Sequence, residues 1–203
     1  MTSTAPAVPR GRVEVTLLAG GLVLLGLAAL PVDAARVGGG EAAVFRVLDG
    51  TTVLPFALVW PVMQLGNLLV VPATALLALA RHRVCLAAGL LVAGLAAYWL
   101  AKVVKGLVPR GRPAGLLEDV VIRGAEAHGR GFPSGHAAVV TALLAVAWPA
   151  LGPRGRIVCS VLASAVVLSR VYVGAHLPLD VVAGAALGLA VAGATRLALG
   201  RSA

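Results

Sequence analysis

The chain has 203 residues, of which 60% are hydrophobic and 12% charged, with a mean hydropathy of +0.97 and a formal net charge of +9. Such usage lies far outside that of soluble domains and places the chain in a bilayer, where it can supply about six spans of roughly 20 residues within one domain, 1–203. The cations are scattered between apolar runs, with no basic stripe and no interleaved aromatics, which excludes a nucleic-acid surface.

The first uncharged run is 15–32, preceded by Arg10 and Arg12, and 1–12 is expected to be a flexible cytoplasmic segment. With Val32-Asp33-Ala34 the same stretch has the outline of a secretory leader, but a run of this length containing Gly20-Gly21 makes the better retained span. The outer connection 31–50 contains 41–48, a short interfacial helix, and leads to a second span, 51–80. The turn Arg81-His82-Arg83 then opens a third span, 84–101, which ends at Tyr98 and Trp99 and is followed by Lys102 and Lys105. Residues 106–133 form a long loop for so small a protein, and long ordered loops tend to be functional.

The fourth run, 137–153, ends near Trp148 and the turn Gly152-Pro153-Arg154-Gly155-Arg156. Residues 157–169 reach spanning length only through Arg170 to about Gly174, and 181–195 only from about His176, so Arg170 and Asp180 are intramembrane charges near one surface. Cys85 and Cys159 are expected to be small packing residues without a disulfide or a metal framework. Gly184 and Gly188 call for close helix packing. The fold expected is all-α, a polytopic six-helix membrane bundle.

Short Arg-bearing turns mark the cytoplasmic face. The N-terminus, the turns 81–83 and 152–156, and the tail with Arg196 and Arg201 share that side. By count the rule is less clean, since eight of the 17 Lys and Arg fall inside and nine outside. The outer excess is explained if Lys105, Arg112 and Arg170 form an anion site, and seven of the eight acids also lie outside.

Three stretches carry the chemistry. Lys105 and Lys102 sit where a helix C-terminus favours cations, either as snorkelling anchors or as anion ligands, and Arg112-Pro113 adds a planar fork suited to phosphate oxygens. Pro133-Ser134-Gly135-His136 precedes the fourth apolar run, so Ser134 stands at an N-cap, Gly135 admits close backbone approach, and the helix end becomes an anion seat facing His136. In the third stretch His176 and Asp180 are four residues apart across Pro178, on one face of a helix starting near Leu177. The carboxylate can fix the tautomer of the ring and leave its other nitrogen as a nucleophile. Arg170 beside them requires an anionic partner.

Lys105 with six residues before Arg112-Pro113, then Pro133-Ser134-Gly135-His136, then Ser169-Arg170 with five residues before His176 and three before Asp180, resembles the complete three-part signature of the type 2 phosphatidic acid phosphatase superfamily. Glucose-6-phosphatase-like enzymes and vanadium haloperoxidases belong to the same superfamily. The resemblance implies that His176 attacks phosphorus and Asp180 orients it. His136 protonates the leaving oxygen and then activates water. Lys105, Arg112, Ser134, Gly135 and Arg170 hold the phosphoryl oxygens, the cations standing where other enzymes use metal ions, so neither a metal nor a cofactor is implied.

The expected activity is therefore hydrolysis of a lipid phosphate monoester or pyrophosphate at the outer face of the cell membrane. The candidates in a bacterium are polyprenyl pyrophosphate, phosphatidylglycerophosphate and phosphatidate, and the Ala, Val, Gly and Arg usage fits a GC-rich bacterial genome. Transfer of the phosphoryl group to an acceptor lipid is the alternative, and a non-enzymatic anion transporter a more distant one. No protein partner is implied. Within 106–133, Arg110, Arg123, His128 and Arg130 form a candidate specificity loop for a second phosphate, beside the apolar Val120-Val121-Ile122; otherwise its arginines pair with Glu118, Asp119 and Glu126.

Overall fold

The structure, a computed structural model, describes residues 11–200. The expected segment 1–12, apart from its last two residues, lies outside the described residues, as do Arg10 and Arg201. Among the described residues all regular structure is helical. The α-helices are α1 (Arg12–Ala29), α2 (Gly39–Asp49), α3 (Phe56–Gln64), α4 (Val70–Ala80), α5 (Val84–Leu107), α6 (Gly135–Ala147), α7 (Pro153–Tyr172) and α8 (Pro178–Ala198). Single 3₁₀ turns follow at Pro113–Gly115 and Trp148–Ala150.

Four helices, α1, α5, α7 and α8, are long and apolar enough to cross a membrane, whereas α4 and α6 are shorter. The second expected span, 51–80, is not one helix. It breaks at Gly66-Asn67, where Asn67 Nδ2 donates to Gln64 Oε1 at 3.2 Å and Asn67 Oδ1 accepts from the Leu69 amide at 3.3 Å. A Cβ at Gly66 would lie 2.9 Å from His136 Cβ, so the chain turns where it meets the fourth helix. The third expected span, α5, in contrast, runs past Ala101 to Leu107, which puts Lys102 and Lys105 on the helix and not beyond it.

Prolines and one glycine set the ends. Pro153 and Pro178 occupy the first helical position of α7 and α8, where the missing N–H costs nothing. Gly174, at φ +71°, ends α7 with its amide on Val171 O at 2.9 Å, a left-handed stop that side chains disfavour. The helix ends carrying Lys105 and Arg170 and the helix starts carrying His136 and Asp180 thereby meet at one end of the bundle. The Arg81–Arg83 and 152–156 turns lie together at the other, where Arg83 Nη1 donates to Ala150 O at 3.3 Å.

α8 lies at the centre, against α1, α5, α6 and α7. Backbones approach closely along it: a Cβ at Gly184 would lie 2.3 Å from Ser134 O, and one at Gly188 2.5 Å from Ala138 O. This is the close packing expected of Gly184 and Gly188. Small alanines fill the resulting interfaces, with Ala93, Ala97, Ala138 and Ala192 buried, while large side chains such as Leu22, Val23, Leu76 and Val161 point outward. Lys102 Nζ lies 4.6 Å from the Tyr98 ring and 4.7 Å from the Trp99 ring, an arrangement suited to a membrane boundary. Cys85 and Cys159 are free thiols.

Candidate active site

The first turn of α8 and the segment before it place His176 and Asp180 face to face. His176 Nδ1 is 3.3 Å from Asp180 Oδ2, and the same oxygen accepts the Leu177 amide at 2.9 Å, which fixes the carboxylate on its own helix start. Both side chains are buried. Arg112 Nη1 lies against the ring, 2.9 Å from His176 Nε2 and 3.4 Å from Nδ1, and donates to Ala175 O at 2.7 Å. A carboxylate only accepts, so Nδ1 carries the proton directed at Asp180 and Nε2 carries the lone pair.

His176 is held well below its ordinary pKa of 6.5, first by burial and then by the neighbouring cations Arg112, Lys105 and Arg170. Burial and these cations therefore favour the neutral form of the ring. Arg112, in the loop after α5, is likewise lowered by burial.

The remaining signature residues approach the same point. Ser134 caps α6 by position, yet its hydroxyl makes no capping hydrogen bond; its amide donates to Asp180 O at 2.8 Å, tying the start of α6 to α8. His136 stands in the first turn of α6, half-buried among Arg170, Arg112 and Lys105. Arg170, 8% exposed, has among the described residues one side-chain hydrogen bond, from Nη1 to the Met63 thioether, a weak acceptor, while its backbone carbonyl receives the His176 amide at 3.0 Å. Lys105 Nζ rests on Arg130 O and Gly131 O at 3.0 and 2.8 Å.

Four buried side-chain atoms among the described residues have no hydrogen-bond partner: Arg110 Nε, Arg112 Nε, Ser134 Oγ and Arg170 Nε. Three of them belong to side chains expected to hold phosphoryl oxygens. Unmet donors of this kind, beside a neutral imidazole with a free lone pair, suit an anion that supplies several acceptors at once.

The candidate specificity loop does not converge on this point. Arg110 is 1% exposed and is spent on Asp180 and Glu41 beneath the ring. Arg123 pairs with Asp49 Oδ1 at 3.2 Å, donates to Asp49 O at 2.6 Å and to the Tyr172 carbonyl, and stacks 4.2 Å from the Tyr172 ring. Arg130 donates to the carbonyls of Lys105 and Gly106 at 2.8 and 2.6 Å, closing the end of α5. His128 is exposed and offers its carbonyl to Arg112 at 3.4 Å. Among the described residues Arg110 and Arg123 do not pair with Glu118, Asp119 or Glu126: Arg110 meets Glu41 on α2 and Asp180 on α8, and Arg123 meets Asp49 on α2.

Glu41 and Gly131 were not legible as site residues. Glu41 reads as an ordinary acid of an interfacial helix, and only its isolation among small residues could have drawn notice. Gly131 matters through space alone, since a Cβ there would lie 2.9 Å from Asp180 Oδ2. No group of three or more His, Cys, Asp or Glu able to hold a metal occurs among the described residues.

Two solved structures share this fold. Aquifex aeolicus LpxE superposes with a TM-score of 0.71 at 24% identity, over 82% of this chain and 99% of its own. The PAP2 type phosphatidylglycerolphosphate phosphatase from Bacillus subtilis gives 0.64 at 21% identity, over 90% of this chain and 94% of its own. No curated protein sequence matches. The PAP2 superfamily model matches residues 84–202, which is more than half of the chain and includes every signature residue assembled around His176, and the chain therefore belongs to the PAP2 superfamily.

Proposed function

We propose that the chain is an integral membrane lipid phosphatase that hydrolyses a lipid phosphate monoester or pyrophosphate through a phosphohistidine on His176. The observation that carries this reading is the ring of His176, held by Asp180 Oδ2 at Nδ1 and met at Nε2 by the Arg112 guanidinium, with Lys105 and Arg170 close by. Membership of the superfamily and the fold shared with a phosphatidylglycerolphosphate phosphatase support it.

An incoming phosphoryl group draws Arg112 from Nε2 onto its own oxygens, and the freed lone pair attacks phosphorus in line. The bond to the lipid oxygen breaks and that oxygen takes a proton from His136, giving a lipid alcohol from a monoester or a lipid monophosphate from a pyrophosphate. Water then gives a proton to His136 and attacks the phosphohistidine, releasing inorganic phosphate and restoring the ring. Lys105, Arg112, Arg170, Ser134 and the backbone at Gly135 hold the three oxygens, so positive charge is supplied by side chains and the reaction runs without a metal.

The six-span arrangement, with short arginine turns inside and the His176 end facing outward, completes the proposal and limits the substrate to lipids presented at the outer leaflet of the cell membrane. Phosphate release from a panel of lipid phosphates by the purified protein in nanodiscs tests the activity. Phosphorylated acceptor lipid in place of free phosphate would instead identify a transferase, and no turnover with any lipid phosphate would sink the hydrolase reading.

A further inference from the structure

A buried ionic chain lies behind the nucleophile, on the side away from substrate. Arg110 Nη1 donates to Asp180 Oδ1 at 3.0 Å and Nη2 to Glu41 Oε2, while Glu41 Oε1 accepts the Leu179 amide at 2.9 Å. Glu41, Arg110 and Asp180 are 8%, 1% and 0% exposed at their side chains, so Arg110 and Asp180 have no water as an alternative partner and Glu41 is largely shielded from it. The Arg110 carbonyl in turn accepts the Gly131 amide at 2.8 Å, and Gly131 packs where any side chain would meet Asp180 Oδ2. Three separate parts of the chain, α2, the loop after α5 and the start of α8, are closed around one guanidinium.

The charges explain the arrangement. Asp180 has two oxygens with two duties, Oδ1 to Arg110 and Oδ2 to the Nδ1 proton of His176. A guanidinium facing Asp180 alone would hold the carboxylate by both oxygens in its usual bidentate manner and weaken the bond to the ring. Glu41 takes the other half of the fork. It also leaves the four groups, two carboxylates, one guanidinium and a neutral imidazole, with a net negative charge adjoining the cationic phosphate seat.

We propose that Glu41 and Arg110 are positioning residues of the phosphoryl-transfer site, which set the rotamer and charge of Asp180 and, through it, the tautomer of His176. Seating of the interfacial helix α2 thereby becomes a condition for a ready nucleophile. The inference rests on the phosphohistidine reading for its kinetic consequences, but the tautomer itself is observable without turnover.

The test uses the full chain in nanodiscs, with Glu41→Gln, Arg110→Met, and the double variant, which removes one charge of each sign and guards against misfolding from an unpaired buried ion. Outer partners that orient a metal-ligating imidazole are worth about 10–100-fold in activity, and the same order is expected for this one. Each single variant is expected to lose kcat by that factor with KM nearly unchanged, and Arg110→Lys, keeping the charge without the fork, to fall between. In an Asp180→Asn background the same substitutions should cost nothing further, because the group they act through is gone. Equal losses in both backgrounds, or a loss confined to thermal stability or KM, would reduce Glu41 and Arg110 to fold supports.

With only four histidines in the chain, ¹⁵N spectra of the ligand-free protein give a second readout. His176 should be protonated at Nδ1 in the parent and become a mixture of tautomers in Arg110→Met. An unchanged tautomer overturns the inference. If the parent releases phosphate from no lipid, the phosphatase reading fails instead, and the tautomer comparison still decides this one.

Discussion

Arg112 Nη1 sits 2.9 Å from His176 Nε2, so a guanidinium lies against the ring nitrogen proposed to attack phosphorus. In that proposal the arginine is the first group a phosphate must engage. His176→Ala should abolish lipid phosphate hydrolysis while the protein stays folded in the membrane. Arg112→Lys should lower kcat by about 10²-fold or more, since a point charge cannot both release the ring and hold two oxygens. Phosphate release under single-turnover and steady-state conditions measures both, and substantial residual turnover in His176→Ala would rule out the phosphohistidine.

Asp180→Asn is expected to retain little activity. The amide can present its NH₂ to Nδ1 and so favour the wrong tautomer, the loss that befalls an orienting carboxylate elsewhere when it becomes an amide. The defect should appear in kcat, and the trapped phosphoenzyme should diminish in step. A variant as fast as the parent would detach Asp180 from the chemistry.

Charge for the transition state comes from Lys105, Arg112 and Arg170 in the proposed mechanism, so turnover should survive EDTA in a washed preparation. Vanadate should inhibit, because its five-coordinate adduct on His176 resembles the transferring phosphoryl group. Strict dependence on added Mg²⁺ would count against the site as described.

The pH response follows from the lowered pKa of His176. Its nucleophilic form is the neutral ring, present above the folded pKa, so acidification through 6.5 should not remove the nucleophile and the corresponding limb of kcat/KM should lie lower. In the unfolded chain the ring titrates near 6.5, so below that pH the unfolded state binds the extra proton and stability falls. The acid-side decline in Tm should be shallower in His176→Gln, which has no proton to bind; an equal decline would assign it to other groups.

Topology can be read with an impermeant thiol reagent after Cys85 and Cys159 are replaced by Ser. A cysteine at Gly155 should be shielded in intact cells and one at Ala125 labelled. Gly124 is unsuitable as the outer site, since at φ +90° it abuts Phe56. Labelling of the Gly155 position from outside would invert the bundle.

The sequence by itself determined the membrane class, the all-helical elements and the identity of the signature side chains. Hydropathy acts over whole segments and proline and glycine act on their own backbone, so the starts of α7 and α8 at Pro153 and Pro178 and the stop at Gly174 were local matters. The pairing of His176 with Asp180 was legible too, because the two lie only four residues apart around the helix start at Pro178, so the local backbone brings them together.

The break of 51–80 at Gly66 was a tertiary matter, since a Cβ there would meet Val166 and His136 across the bundle. The tertiary structure also decided the partners of the loop arginines. Which carboxylate meets Arg110 or Arg123 depends on where α2 docks, and Glu41 and Asp49 are 69 and 74 residues away along the chain. A buried guanidinium must take the nearest anion in space. Distance along the sequence carries no information about that choice, and so two arginines of the loop that looked ready for a second phosphate, Arg110 and Arg123, are bound to the protein's own acids.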